Sequence, residues 1–409
     1  MPNANTNFRV NGTDYNSTAS LLSKDTVFEN YPDLVGVLKT PVLYGAGWNY
    51  FGQLGIGTNG YTNVSIPTQN IGGGYNWKSV ARPGFDHNAA LKTDGTLWLW
   101  GVNGAGQLGD NTGDSKSSPV QTVSGGSDWK LVSCGAYYTA AIKTDGSLWL
   151  WGLNDYGQMG DNTTTNKSSP VQTVSAGTDW YLVACGDKHT AAIKTDGTLW
   201  SWGKNSNGEL GDNTTTNRSS PVQTVSAGTD WKLVSCSRYH TAAIKTDGTL
   251  WSWGSATNGY LGNNSTFPNQ SSPVQTVSAG TNWKYVNCGD KHTLAIKTDG
   301  TLWAWGRNSS SQLGDGTSMT RSSPVQTSSA GTNWSKIANI GPRSLSSGAF
   351  KTDGTLWVWG QGQYNQLDPN STNNISNPVL IPTTQNQWRE FAMSERFIIG
   401  IRDDSDDPV

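Results

Sequence analysis

The segment Lys194-Thr195-Asp196-Gly197-Thr198-Leu199-Trp200-Ser201-Trp202-Gly203 recurs with small changes at Lys92, Lys143, Lys245, Lys297 and Lys351. Successive copies start 51, 51, 51, 52 and 54 residues apart, so one unit is laid down repeatedly and the chain must fold as an array. Inside the unit an Asp-Gly pair separates Ala191-Ala192-Ile193-Lys194 from Leu199-Trp200-Ser201-Trp202, the pattern of a tight hairpin. Residues two apart on a strand share a face, so Trp200 and Trp202 load one side of a sheet with aromatic surface. The same reading makes Trp98, Trp100, Trp149, Trp151, Trp251, Trp253, Trp303, Trp305, Trp357 and Trp359 packing residues of equivalent sheets.

Each unit reads as four short antiparallel strands, over 180–185, 190–194, 199–203 and 221–225 in one copy. In such a meander the loops around Gly186-Asp187-Lys188-His189 and 208–217 leave on one face. The Asp-Gly turns and the connector around 226–230 leave on the other. Units open at Trp77, Trp129, Trp180, Trp231, Trp283, Trp334 and Trp388. The repeat enters the chain in mid-unit, where 43–55 aligns with 97–109. The missing first half stands at the far end, where 388–393 and 397–402 align with 129–134 and 138–143. Two half-units at opposite termini make one whole, and the expectation is an all-β, seven-bladed propeller of four-stranded antiparallel blades. Pairing of N- and C-terminal strands closes it and removes the open sheet edges.

The expected organisation is an N-terminal arm over 1–40, the propeller over 41–405 and an acidic tail over 406–409. The arm carries isolated apolar residues, Phe8, Val10, Leu21, Leu22, Val27 and Phe28, too few to fold alone and suited to docking on another protein. Charged residues are 14% of the chain and the formal net charge is −2, which supplies no broad electrostatic footprint for nucleic acid. No apolar run has the length needed to span a bilayer, and the first ten residues lack the basic and apolar regions of a secretory signal.

Cys134, Cys185, Cys236 and Cys288 hold one repeat position, which reads as small packing residues too far apart for disulfides. His87, His189, His240 and His292 also share a position, taken by Tyr138, Ser346 and Phe397 elsewhere, and read as bridges from a blade turn to a neighbour. Asp110, Asp161, Asp212 and Asp315 lie in polar loops with one acid each. Calcium needs six to eight oxygens, so turn-forming side-chain bonds are expected instead. No nucleophile, base and orienter set stands apart from the repeat, and neither a catalytic centre, a metal site nor a cofactor is expected.

The run from Gly289 to Gly314, Gly-x-x-His-Thr-x-Ala-Ile-Lys-Thr-Asp-Gly-Thr-Leu-Trp-x-Trp-Gly followed by a Gln-Leu-Gly turn, resembles the repeat of the regulator of chromosome condensation family. The likeness covers 42–405 and implies a seven-bladed propeller. Propellers of that family include exchange factors for a small GTPase, photoreceptors, secreted enzyme inhibitors and virion proteins. The photoreceptor's Gly-Trp-Arg-His-Thr signature is replaced here by Gly186-Asp187-Lys188-His189-Thr190 and Ser237-Arg238-Tyr239-His240-Thr241, and no long wedge insertion or basic tail of an exchange factor is present.

The near-identical copies and the polar, low-charge loops lead to the expectation of a non-enzymatic scaffold, a phage or viral structural protein located in the virion and otherwise cytoplasmic. Its arm would contact other structural proteins. Its loop face, with Asn111, Asn162, Asn213 and Asn264, would meet a host-surface glycan or protein. The alternative is a regulatory propeller, exchange-factor-like or inhibitor-like, that binds a partner protein on one face.

Overall fold

A computed structural model describes residues 5–10, 13–18, 40–71, 74–175, 177–225, 228–277, 280–329, 331–381 and 388–404. Six blades follow in chain order, opening at Trp77, Trp129, Trp180, Trp231, Trp283 and Trp334, each a four-stranded antiparallel sheet. In the third blade the strands are Trp180–Cys185, His189–Lys194, Leu199–Gly203 and Arg218–Gln223. The seventh blade is the composite one. Trp388–Met393 and Phe397–Asp404 from the C-terminal end pair with Thr40–Asn49 and Gly60–Gln69 from the N-terminal end, in the register Leu43↔Ile401 and Ala46↔Ile398. The closure read from the split repeat is therefore present.

The motif residues account for one another. Asp196 Oδ1 accepts from the Thr198 amide at 2.9 Å and from Thr198 Oγ1 at 2.7 Å, which fixes the hairpin turn. The same hydroxyl accepts from Trp200 Nε1 at 2.9 Å. Lys194 Nζ lies 5.0 and 5.2 Å from the ring centres of Trp180 and Trp200 and pairs with Asp179 at 3.1 Å. Trp200 is thus a half-buried ring at the turn end, whereas Trp202 is fully buried. Trp202 Nε1 donates to the Gln158 carbonyl of the preceding blade at 2.8 Å, and its ring meets Trp180 edge to face at 6.0 Å. Trp100, Trp151, Trp253, Trp305 and Trp359 repeat this arrangement. The last glycine of the Gln-Leu-Gly turn is required beneath that ring: at Gly160, φ is +67°, and a Cβ would stand 2.8 Å from Trp202 Nε1.

Seven apolar clusters lie one in each interface between neighbouring blades. The alternation along the second strand feeds two of them at once. Ala192 packs toward the second blade, while Ala191 and Ile193 pack toward the fourth. The core is therefore a ring of seams around an axial channel, which the first strands of the blades line.

Some expectations are corrected. The fourth strand of the third blade begins at Arg218 and not Pro221, because Arg218 pairs with Gly203 across a bulge and is held by Asp212 at 2.9 Å. The second strand begins at His189, opposite Gly203. In the sixth blade an extra segment, Asn339–Ile340, leaves its own sheet and pairs parallel with Ala392 and Met393 of the closing blade. Residues Asn5–Val10 and Thr13–Thr18 form a separate antiparallel hairpin with Phe8 opposite Tyr15. Val10 ends its first strand. Leu21, Leu22, Val27 and Phe28, and the tail over 406–409, lie outside the described residues.

Candidate partner-binding face

The repeat is least uniform just before the shared histidine position. There the blades carry Phe85-Asp86, Ala136-Tyr137, Asp187-Lys188, Arg238-Tyr239, Asp290-Lys291, Ser344-Leu345 and Glu395-Arg396. These pairs sit in the loops that join first and second strands, so a closed ring brings them together around the channel mouth on the loop-rich face. What lies about 50 residues apart in sequence becomes one surface.

Arg343 dominates this surface. The sixth blade spends thirteen residues from Trp334 to Ser346 where the third spends ten from Trp180 to His189, and the added length carries Arg343 across the mouth. Its Nε donates to Asp187 Oδ1 of the third blade at 2.8 Å. Its guanidinium carbon lies 4.7 Å from the ring centre of Phe85 and 5.2 Å from that of Tyr137, on the first and second blades. Around it, Arg238 stands 3.6 Å from Asp187 and 3.8 Å from Asp290, Lys291 stands 3.4 Å from Asp290, and Arg396 stands 3.9 Å from Asp86. Tyr239 is approached by Arg238, Lys204 and Lys291, with cation-to-ring distances of 5.0, 5.7 and 5.9 Å.

The signs of charge are sorted by depth. Asp86, Asp187 and Asp290 are buried, whereas the side chains of Arg238 and Arg396 retain 35% and 28% of their exposure, so solvent meets cations and aromatic rings. Burial pushes the Asp86 carboxyl up to about 6 against the opposing pull of Arg396. It likewise raises Asp290 and Glu395. Such a surface suits an acidic partner, which would supply the counter-charge that the sunken carboxylates cannot present outward.

The other candidate residues occupy structural places. Each histidine is buried with Nε2 within hydrogen-bond reach of a hydroxyl on the next blade: Thr139 from His87 at 3.0 Å, Thr241 from His189 at 2.9 Å, Thr293 from His240 at 2.8 Å and Ser347 from His292 at 2.8 Å. Burial lowers all four to about 3, so they are neutral imidazoles. Asp110, Asp161, Asp212 and Asp315 accept from the threonine amide two residues on, from that threonine's hydroxyl and from an asparagine. Each also pairs with a lysine or arginine that opens the outer strand. The four cysteines are free and buried. Asn111, Asn162, Asn213 and Asn264 are exposed on the loop face in left-handed backbone, φ +60° or +61°, and clip to serines of the next outer strand. That puts them on the outer rim, away from the mouth.

In the sequence Asp187 and Lys188 stand out only as part of a loop on this face and, with Arg238 and Tyr239, as departures from the photoreceptor signature, while nothing singles out Arg343. The available signal was the column-by-column departure from an otherwise uniform repeat.

An RCC1-like domain model matches 174–406, and regulator of chromosome condensation (RCC1) repeat models match 94–142, 145–193 and 129–158. The chain belongs to the RCC1-like domain family. It is 34% identical over 289 residues to the ultraviolet-B receptor UVR8 of Arabidopsis thaliana, covering 69% of this chain and 64% of the receptor. It is 27% identical over 357 residues to the human E3 ubiquitin-protein ligase HERC2, covering 84% of this chain and 7% of the ligase. The chain thus spans less than two thirds of the length of these relatives. Among solved structures, yeast RCC1 (Prp20) bound to Kap60 superposes with a TM-score of 0.78 at 18% identity, over 93% of this chain and 92% of that one. Human WBSCR16 superposes with a TM-score of 0.77 at 18% identity, over 88% and 98%. At that identity the likeness concerns the fold.

Proposed function

We propose that the protein is a regulatory binding propeller that docks an acidic surface of a partner protein on the mouth of its loop face. The observation that carries this reading is the Arg343, Arg238 and Arg396 cluster with its aromatic rings, laid over sunken carboxylates where the blades stop repeating one another. Support of a general kind comes from the yeast protein of this fold, whose solved structures are described as a complex with Kap60 and as concerning binding to Gsp1p and histones. The reading is of a binding protein rather than an enzyme. None of the relatives reported above is a virion component, so the regulatory alternative replaces the virion scaffold as the preferred reading.

The test is charge reversal. Arg238→Glu combined with Arg396→Glu is expected to weaken a captured partner at least tenfold, and raised salt should weaken the native complex in parallel. Lys232→Glu on the turn face should leave binding intact. Equal binding by the double variant and the native protein would rule the mouth out.

A further inference from the structure

The axial channel holds a buried cation that has no ion-pair partner among the described residues. Arg82 takes the repeat position that is Cys134, Cys185, Cys236 and Cys288 in the next four blades and Met393 in the closing one. It is 8% exposed and reaches across the axis. Its Nη1 donates to the Cys185 carbonyl at 3.0 Å, its Nε to the Ile340 carbonyl and its Nη2 to the Cys288 carbonyl, so that it touches the third, fifth and sixth blades. A guanidinium has five N–H donors, and three are accounted for among the described residues. Carbonyl dipoles solvate part of its charge. Among the described residues no carboxylate lies within ion-pair distance of it, and a charge out of water without a counter-charge is costly.

Arg82 forms part of the wall of a cavity of about 270 Å³ inside the ring of first strands. The first strands run from their opening tryptophans at the turn face toward the loop face, so Arg82, five residues along, is deep, and the valines of the same strands form a collar above it. Val80, Val132, Val183, Val234 and Val286 supply this collar, and Lys130 and Glu390 also line the cavity, Glu390 being paired with Lys336. Asn287 Oδ1, on the same wall, is buried without a hydrogen-bond donor.

We propose that the channel is a binding site for a small monocarboxylate, with its carboxylate on the free N–H groups of Arg82 and its short apolar tail in the valine collar. Lys130 and Glu390 offset each other on the wall, so its net charge is the single positive charge of Arg82, which matches one negative charge and disfavours a dianion. The collar disfavours a bare inorganic ion. Asn287 Oδ1 would accept from a ligand hydroxyl or a bridging water. The site opens on the face opposite the partner-binding mouth and does not depend on that reading.

Calorimetric titration of the full chain with sodium butyrate, at ionic strength held constant with sodium chloride, tests this. Saturable binding in about the millimolar range is expected for so small a ligand, with none for butylamine and none for phosphate. Arg82→Met should weaken butyrate at least tenfold. Because Arg82→Met loses axial hydrogen bonds and can fail to fold, Val286→Phe provides a second variant, which fills the collar from its one half-buried valine, leaves the arginine in place and should also weaken butyrate at least tenfold. Butyrate heats no greater than those of matched chloride, phosphate binding in preference to butyrate, or unchanged butyrate binding by Val286→Phe would overturn the proposal.

Discussion

At the residue scale, the repeat is a set of side chains that need each other across seams. Trp202 is fully buried and its N–H has one carbonyl to meet, so Trp202→Ala removes both packing and a bond and should cost about 3–5 kcal/mol in urea unfolding. Gly160→Ala should cost about 2–4 kcal/mol, since a left-handed backbone and the Trp202 ring both oppose a Cβ. The neutral histidines make acid destabilising. Their folded-state values near 3 lie below the ordinary 6.5, so the unfolded chain binds protons that the folded one refuses as pH falls below 6.5. Asp86, pushed up to about 6 by burial, acts in the opposite sense between pH 6 and 4, and Asp290 and Glu395, which burial also raises, act in that same sense above their ordinary values. Four histidines outweigh three carboxylates, leaving a net uptake of roughly one to three protons on unfolding near pH 5. Urea midpoints should therefore drop between pH 7 and pH 5, by about 2 kcal/mol per pH unit in stability; a midpoint that rises toward pH 5 would contradict the buried neutral state. The histidine bridges were legible because four copies occupy one column. Arg82 was not, because a single substitution within a repeat looks like drift until its reach across the axis is seen.

At the element scale, the closing blade decides whether the ring is shut. The split phase of the repeat showed which strands would meet, since the half-units at the two ends complement each other without overlap. The parallel pairing of Asn339–Ile340 with the closing blade was not legible, because two residues carry no periodic pattern and their partner belongs to another blade. The fourth strand was misplaced for a related reason: its start is set by a bulge opposite Gly203, a tertiary feature and not a turn signal. The pairing Pro41↔Asp403 gives a direct check of closure. A Pro41→Cys and Asp403→Cys double variant should form a disulfide on oxidation and melt higher oxidised than reduced, with a chain-entropy gain of about 6 kcal/mol before native strain is subtracted. Absence of the crosslink under oxidation would place these strands apart.

At the scale of the whole molecule, closing the ring turns seven variable dipeptides into one surface. The sequence showed which face carries the long loops, and it directed attention to Asn111 and its equivalents because they repeat. Repetition marks what holds blades together, and those asparagines clip outer strands. The proposed binding surface lies instead where the repeat departs from itself, and its geometry depends on the extra residues that carry Arg343 over the mouth. Hydrogen exchange on the complex with a captured partner tests this most directly. Protection concentrated in the loops bearing Asp187, Arg238, Arg343 and Arg396 is the result predicted. Protection confined to the Asp-Gly turns or the outer strands, with the mouth exchanging as in the free protein, would contradict it.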